Sequence, residues 1–481
     1  MIETAHFPTV QGQMQTTANS SCMRRKLRTS KTSLFFVFLS TPSEKATIVT
    51  MPAGPTPDLG PRRSGGSGDL RQGNLTQILR YVRDHGASSR HDIAHGCGLG
   101  ISTMTDLIGE LRARRIVMEL DPIRRPGAGR PTRPIDFDGE PWCVLGVRVD
   151  LDGFEFAAAT LAGRELWRDS VPANLRGAAP DAGFAELNRA LRSQLNRLPT
   201  EKHLIAIEIG VPGYIAADRA IVGLSENPEW RDFPLSAKVS ATLNELGIHG
   251  VHVGITNDSQ LAALHAVRNE LRLEPDTIAA YLGGLRSIGS GLIINGEIFR
   301  GAGGGAGDLG HLNVDPSGPA CWCGRNGCLQ SLIGPQNLLT VGELMPPDEA
   351  ARLVDEQPKE AIRRIVEAID EGHAAMLQVL KRAGAALGDA IDDAIGIVNP
   401  HTVILGGYLG ALSPHLMDSI QERISHRVTI PAFASTKIVA VDQGVSRVIG
   451  GAVLAARDAC FYDPLTLTRP LNQSTLNSAL I

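Results

Sequence analysis

No stretch of this 481-residue protein holds the roughly 18 consecutive apolar residues that a membrane-spanning helix needs, which excludes such a helix. Positive charge is not in excess. With a formal net charge of −4, the protein as a whole is not marked as a nucleic-acid binder, and any such activity has to be local. Cysteine is scarce and odd in number: there are 7, and three of them fall within eight residues. That usage fits a reducing cytoplasm better than a secreted disulfide framework. Core-forming material is present in quantity: 43% hydrophobic and 20% charged residues, over a length with room for two or three domains.

Residues 1–68 differ from the rest. They are rich in Thr, Ser, Pro and Gly, with a basic patch from Arg24 to Lys31. The apolar run Leu34 to Leu39 is short and sits well inside the sequence, so it makes a poor signal peptide even if translation began at Met23. We expect a disordered extension, or a segment upstream of a true start at Met51.

Between Gly301 and Gln330 the sequence reads GAGGGAGDLGHLNVDPSGPACWCGRNGCLQ. Cys321, Cys323 and Cys328 cluster there, and His311 lies ten residues before Cys321. One imidazole and three thiolates make a complete tetrahedral zinc set. Gly324 and Gly327 let the backbone fold tightly enough for three sulfurs to reach one ion. The plainer alternative is three reduced cysteines in a glycine-rich loop; soft ligands this dense favour the metal. Such a site has no open position for chemistry, so the zinc is structural.

Residues 69–137 read as a DNA-binding module. Leu75, Ile78, Leu79 and Val82 recur at i, i+3, i+4, i+7 and mark one helix, ended by Gly86. Ser89, three residues before Asp92, starts a second helix carrying Ile93 and Ala94. After the turn Gly98-Leu99-Gly100, Met104, Leu107, Ile108 and Leu111 repeat the same spacing. Helix, helix, glycine turn, helix is the helix-turn-helix order. The third helix turns Ser102, Thr103, Thr105, Asp106 and Gly109 away from its apolar face, as a helix reading the major groove would. Gly100 is a weak cap for it. An ordinary three-helix bundle is the alternative, but the segment holds 11 Arg against 8 Asp plus Glu. Val117 to Leu120 fits a wing strand. Arg124-Arg125-Pro126-Gly127-Ala128-Gly129-Arg130-Pro131 then reads either as a flexible basic linker or as an extended arm whose Arg125 and Arg130 enter a minor groove.

From residue 140 to 455, strands alternate with helices. Strands are expected at Cys143–Val149, Phe154–Leu161, Leu204–Val211, Val251–Thr256, Ile278–Leu282, Gly291–Ile294 and Thr402–Leu405. Helices are expected at Ala185–Leu198 and Ala374–Ile397. Glycine turns fall at strand ends, where ligands bind in α/β proteins. Residues 456–481 are expected to form a C-terminal tail.

GAGDLGH followed by CWCGRNGC resembles the motif of the ROK family of repressors, open reading frames and sugar kinases. So do Gly210-Val211-Pro212-Gly213, Asn257-Asp258, Ile288-Gly289-Ser290-Gly291 and Ile404-Leu405-Gly406-Gly407. Ser89-Arg90 and Gly129-Arg130-Pro131 are similar to the head of the family's sugar-responsive regulators, of the xylose and N-acetylglucosamine type. The resemblance spans roughly residues 70–455. It implies a winged helix-turn-helix joined to a two-lobed, actin-like, hexokinase-type α/β domain, with sugar in the interlobe cleft. It assigns sugar contacts to Asn257, Asp258, Asp308, His311 and Gln330, and more loosely to Asn227. Asp258 would be the kinase general base, here vestigial. Where the family has Glu, this protein has Asp308 and Gln330, and both departures touch the ligand.

Where the family's kinases have Asp-x-Gly-Gly-Thr, this protein has Asp150-Leu151-Asp152-Gly153-Phe154. Where they have a Gly-Thr-Gly loop, it has Leu285-Arg286-Ser287. Asp152 puts a carboxylate where backbone amides would meet phosphate, so ATP binding is expected to be lost. These readings converge on a cytoplasmic homodimeric or homotetrameric repressor of carbohydrate genes. It would bind a double-stranded DNA operator under control of a sugar or sugar phosphate. An ATP-dependent sugar kinase with a DNA-binding head, and a regulator that no longer senses sugar, stand as alternatives.

Overall fold

The computed structural model describes residues 67–123, 131–216, 218–225, 229–425, 436–441 and 446–468. Arg125, Arg130 and Asn227, the extension apart from Ser67 and Gly68, and residues 469–481 lie outside the described residues.

Three helices open the described residues: α1 (Ser67–His85), α2 (Arg90–Gly96) and α3 (Ile101–Ala113). The expected i, i+3, i+4, i+7 residues of α1 and α3 are all buried. Each large aliphatic side chain so buried contributes roughly 1.5–3 kcal/mol. The Ser89 hydroxyl accepts from the Asp92 N–H at 3.1 Å and caps α2, whereas Gly100 gives α3 no side-chain cap. The strand β1 (Val117–Glu119) then pairs antiparallel with β2 (Ile135–Phe137), and Ile123 and Thr132 extend the ribbon by exchanging backbone hydrogen bonds of 2.9 and 3.2 Å. Helix, helix, helix, ribbon is the winged-helix order. Its second strand, too short to show a period, was not legible in the sequence.

The first lobe follows. It comprises β3 (Trp142–Asp150), β4 (Gly153–Thr160), β5 (Glu165–Pro172), α4 (Pro180–Leu195), β6 (His203–Val211), β7 (Tyr214–Ile215), β8 (Val222–Ser225), β9 (Trp230–Phe233), α5 (Leu235–Glu245), β10 (His252–Asn257) and α6 (Asp258–His265). Its main sheet runs β10-β6-β3-β4-β5, with β3, β6 and β10 parallel and β4 and β5 antiparallel. The second lobe contains β11 (Ala279–Gly283), β12 (Gly289–Ile294), β13 (Glu297–Ile298), α7 (Leu329–Ile333), α8 (Pro335–Val341), α9 (Pro347–Glu356), α10 (Pro358–Asp370), α11 (Ala374–Val398), β14 (Thr402–Leu405), α12 (Gly407–Ser425) and β15 (Lys437–Ala440). Its sheet runs β13-β12-β11-β14-β15. Each lobe therefore has the same five-strand plan: an antiparallel three-strand meander, then two parallel strands on the far side of its first strand. The repeat sets the β3–β4 turn of one lobe and the β11–β12 turn of the other on the cleft.

Two expectations need correction. The helix expected from Ala185 starts five residues earlier, because Pro180 occupies its first turn, where a missing N–H costs nothing. The expected tail is not one at its start. Residues 446–462 form α13 (Ser446–Tyr462), which packs on β3, β6 and α6, and α14 (Pro464–Leu467) follows. Ala456, Ala459, Cys460 and Phe461 of α13 are buried in one core with the head's Leu75, Leu107 and Ile135 and the first lobe's Trp142 and Ile205. The head is thus seated on the lobe by shared apolar packing. The Trp142 indole N–H also donates to the Arg114 carbonyl at 2.8 Å. No helix among the described residues is long and apolar enough to cross a membrane.

Candidate functional site

The lobes enclose a cleft of about 970 Å³. Strands β3, β6 and β10 all point their C-terminal ends at it, which puts Asp150, Val211 and Asn257 on one rim. Asn257 is the N-cap of α6: its carbonyl oxygen accepts from the Ser259 and Gln260 N–H groups at 2.9 and 3.1 Å, and its amide donates to the Gly213 carbonyl at 2.9 Å. Much of its polar capacity is therefore spent on the turn that aims Asp258. The Asp258 carboxylate accepts from the Ser259 backbone N–H at 2.7 Å. Burial pushes its carboxyl above the usual range, against the pull of Arg148 and of the Ser259 N–H. Gly289 keeps this corner open to close packing, since a Cβ there would lie 1.9 Å from the Ser259 hydroxyl oxygen.

Across the cleft, the loop 301–308 is tied to the first lobe. The Tyr214 hydroxyl donates to the Gly303 carbonyl, and the Gln260 amide to the Gly304 carbonyl at 3.3 Å. Asp308 follows, its carboxylate open to the cleft yet flanked closely enough by protein that desolvation raises its pKa, against the opposing pull of His311 and Arg325. His311 is buried at the end of a single 3-10 turn, Leu309–His311, and it too borders the cleft.

The four expected metal ligands converge. Their ligand atoms all lie within 4.8 Å of one another. The Cys321 sulfur is 3.5 Å from His311 Nδ1, and the Cys323 and Cys328 sulfurs are 3.6 Å apart. A tetrahedron with Zn–S bonds of about 2.3 Å and a Zn–N bond of about 2.0 Å has edges of roughly 3.5–3.8 Å, so the spacing fits a zinc ion. It is far too long for a disulfide, whose sulfurs lie about 2.05 Å apart. Burial would raise the Cys323 thiol, but the backbone and guanidinium of Arg325 and the neighbouring thiols bring it down to about 6, whereas burial and the neighbouring sulfurs push Cys328 up to about 12. The Gln330 amide donates to the Cys321 sulfur at 3.5 Å. It is therefore turned toward the cluster while still bordering the cleft.

The opposite end of the cleft holds an ion-pair lattice that the sequence did not disclose. Arg286, in the β11–β12 turn, donates to Asp150 at 3.0 Å, to Asp152 at 2.7 Å and to the Asp355 carbonyl at 3.0 Å. Arg176, just after β5, bonds Asp152 at 2.8 Å and the Asp355 carboxylate at 2.8 Å. Arg148 pairs with Asp150 and with Glu155, the latter at 2.6 Å. Two of the three arginines thus join the lobes. The Asp152 carboxyl would rise with its partial burial but is held below its usual range by Arg176 and Arg286.

A protein-family model described as the ROK family matches residues 145–458. The chain belongs to the ROK family. Among ROK relatives, the xylose repressor of Caldicellulosiruptor bescii is 26% identical over 375 residues, which cover 77% of this chain and 91% of that protein. The crystal structure of a ROK-family transcriptional regulator, a homologue of Escherichia coli Mlc, aligns with a TM-score of 0.68 at 22% identity, over 83% of this chain and 98% of that one. That is more of this chain than residues 145–458 can supply, so the likeness of fold extends past the two lobes. A ROK glucokinase from Streptomyces griseus, solved with glucose and AMPPNP, aligns with a TM-score of 0.50 at 22% identity, over 66% of this chain and 99% of its own. The actin-like ROK fold expected from the motifs is the fold observed.

Of the residues assigned to sugar, Asn257, Asp258, Asp308, His311 and Gln330 all border one cleft. On the head, Ser102, Thr103, Thr105 and Asp106 are exposed along α3, on the face away from Met104, Leu107, Ile108 and Leu111. The residues that sequence reasoning missed are the arginines of the lattice. Their only local signal was the density of acidic residues at Asp150, Asp152 and Glu155.

Proposed function

We propose that this protein is a DNA-binding transcriptional regulator, a repressor of carbohydrate-metabolism genes, whose grip on its operator is set by a sugar or sugar phosphate. The observation that carries the reading is how the head is tied to both lobes. Arg80 of α1 pairs with Glu297 of β13 at 2.7 Å. The Tyr462 hydroxyl of α13 donates to the same carboxylate at 2.9 Å, and Arg80 also bonds that hydroxyl at 3.0 Å. Arg83 lies 3.6 Å from both Glu297 and Asp458. Asp458 and Tyr462 belong to α13 on the first lobe; Glu297 belongs to the second.

Glu297 pairs with Ile294, from which β12 runs back to Ser290 and Gly289, a span of about 17 Å at ~3.3 Å per residue. The Ser290 hydroxyl accepts from the Leu309 N–H at 2.8 Å, one residue past Asp308. One strand therefore connects the sugar side of the cleft to the head. A ligand that prefers one lobe arrangement shifts Glu297 against Asp458, and α1 lies across both. Only that difference in affinity between arrangements can change DNA binding.

In this reading α3 enters the major groove with Ser102, Thr103, Thr105 and Asp106, while Arg125 and Arg130 extend the contact into a minor groove. Zinc on His311, Cys321, Cys323 and Cys328 fixes the imidazole that faces the ligand. Asp258 keeps the place of a kinase base without a nucleotide to serve, because the lattice around Arg286 stands where phosphates would sit. The protein works in the cytoplasm as a homodimer or homotetramer on a two-fold operator. The names of the ROK relatives, a xylose repressor and a transcriptional regulator, support this reading. A second reading, a regulator that has stopped sensing sugar, is favoured by the Gln330 amide being engaged with Cys321.

The test has two arms. DNA selected in vitro by the full-length protein is titrated by fluorescence anisotropy with and without D-xylose, D-glucose, N-acetyl-D-glucosamine and their phosphates. The same sugars are offered with ATP in a coupled ADP-release assay. The expected result is a sugar-dependent change in operator affinity of at least about five-fold, with no sustained ADP release. Sustained turnover restores the kinase. Failure to enrich any DNA sequence removes the regulator, and operator binding that ignores every sugar favours the second reading.

A further inference from the structure

Trp322 lies between Cys321 and Cys323, on the sugar side of the cleft. Trp142 and Trp230 are buried, whereas Trp322 is 48% exposed. It borders the cleft together with Asp308, His311 and Gln330. Small-molecule pockets are concave and lined by aromatic side chains with a few convergent polar groups, and Trp322 stands in such a setting.

The backbone explains why the indole stays out. The Gly324 N–H donates to the Cys321 carbonyl at 3.0 Å, closing a four-residue turn with Trp322 at its second position. Both cysteines of that turn point at the metal cluster, so the side chain between them is sent outward. The His311 ring braces it in a T-shaped contact, with centroids 5.0 Å apart and planes at 78°, without covering it. The platform is thus held between two of the candidate metal ligands, Cys321 and Cys323, and against a third, His311.

We propose that Trp322 is the surface on which the ring of the effector stacks, and that the effector is therefore a cyclic pyranose presenting a face of C–H bonds. The inference rests on the sugar-effector reading and narrows it. Aromatic faces carry negative charge density that attracts the positive edge of polarised C–H groups, and stacking removes apolar surface on both partners from water. The hydroxyls project from the rim of such a ring, where Asp258 and Asp308 can accept from them. An acyclic polyol offers the same hydroxyls with no flat face. It would also lose internal rotations on binding, so the site discriminates against it.

The experiment uses the zinc-loaded full-length protein, its Trp322→Phe and Trp322→Ala variants, and four probes: D-glucose, D-xylose, N-acetyl-D-glucosamine and the acyclic polyol D-glucitol. Calorimetry gives affinity, tryptophan emission reports the stacked ring, and metal analysis follows zinc. At least one pyranose should bind wild type and change its emission, while D-glucitol should not. Trp322→Ala should weaken that binding by about ten-fold or more with zinc content unchanged. Trp322→Phe, which keeps a ring beside His311, should retain most of the affinity and lose the emission change, because the other three tryptophans do not border the cleft. Pyranose affinity within about two-fold of wild type in Trp322→Ala overturns the proposal and leaves the effector reading standing. So does an emission change that survives in Trp322→Phe. If no pyranose binds wild type, the effector reading falls and this proposal falls with it.

Discussion

Replacing Arg286 by methionine, which keeps most of the side-chain volume and removes the charge, should loosen the two lobes at the β3–β4 turn. The size of the effect follows from burial. Arg286 and Asp150 are each 19% exposed, so their bond lies in the range of about 1.5–3 kcal/mol for a charge-assisted hydrogen bond. Asp152 is 56% exposed, and solvent screening cuts its bond to about 0.5 kcal/mol. The bond to the Asp355 carbonyl adds about 1 kcal/mol. Against this stand the desolvation of a guanidinium, which the variant avoids, and the neutralisation that Arg148 still gives Asp150. A net loss of about 2–3 kcal/mol remains. Unfolding of a protein with two lobes and a head is a poor gauge of a local event, so the readout should be local. The Leu151 N–H donates to the Asp150 carboxylate at 2.7 Å and reports directly on this turn. Its hydrogen exchange should quicken by roughly 30- to 150-fold, the rate equivalent of that free energy. Exchange within about three-fold of wild type would show that the lattice does not hold the lobes together, and the argument from Arg286 would fail.

Other perturbations test other links. Cys323→Ser should take the zinc-to-protein ratio, measured by atomic emission, from about one toward zero and lower the melting temperature; unchanged zinc content contradicts the ligand set. Glu297→Gln removes the charge that Arg80 and Tyr462 share, and should reduce the sugar-dependent change in operator affinity several-fold while sparing sugar affinity itself. An unaltered ratio of operator affinities with and without sugar would exclude Glu297 as the link. Leu107→Ala, in the core shared by the head and α13, should cost about 2–4 kcal/mol, read as loss of protection in α1–α3. His252 Nε2 and His265 Nδ1 are buried without a hydrogen-bond partner, and desolvation holds both imidazoles below their usual pKa. Their folded-state values are depressed, so the stability they support is complete above about pH 6.5 and is lost as pH falls below it. The melting temperature should drop between pH 7.5 and 5.5, and a His252→Gln/His265→Gln double variant should flatten that slope.

What could be read from the sequence was local. The apolar faces of α1 and α3 announced themselves because each pattern is complete within eight consecutive positions. The His/Cys cluster was legible for the same reason: His311 to Cys328 lie within one short stretch of sequence. Strand ends at Val211, Asn257 and Leu405 were marked by turn residues. What stayed hidden was joined across the fold. Arg286 meets Asp150 and Asp152 from 136 and 134 positions away. Asp152 could be recognised as hostile to phosphate, but the arginines that neutralise it could not. Gln72 of α1 donates to the Tyr462 carbonyl 390 residues on, so the end of α13, which has no distinctive composition, reads as a tail in the sequence although it packs against the head. The short strands β7 to β9 carry too few residues to show a period.

The two ends of the cleft answer one physical demand. A ROK kinase closes its lobes around a polyanion, which supplies negative charge between two surfaces built to receive it. A protein that gives up the nucleotide has to supply that charge itself or leave cationic surfaces facing each other across water. On the proposed reading, Asp150, Asp152, Glu155 and Asp355 would provide it, matched by Arg148, Arg176 and Arg286. The pairs are mostly half-buried, so ordinary salt screens them only in part. On the proposed reading this end becomes a fixed hinge, and the metal cluster keeps the other end stiff by holding His311 and Asp308 in place. Lobe movement is then concentrated in the sugar contacts between them, where Tyr214 and Gln260 already reach across to the glycine loop. A hinge that needs no nucleotide lets the effector alone set the lobe angle, which is the condition for the head to report sugar and not the energy state of the cell.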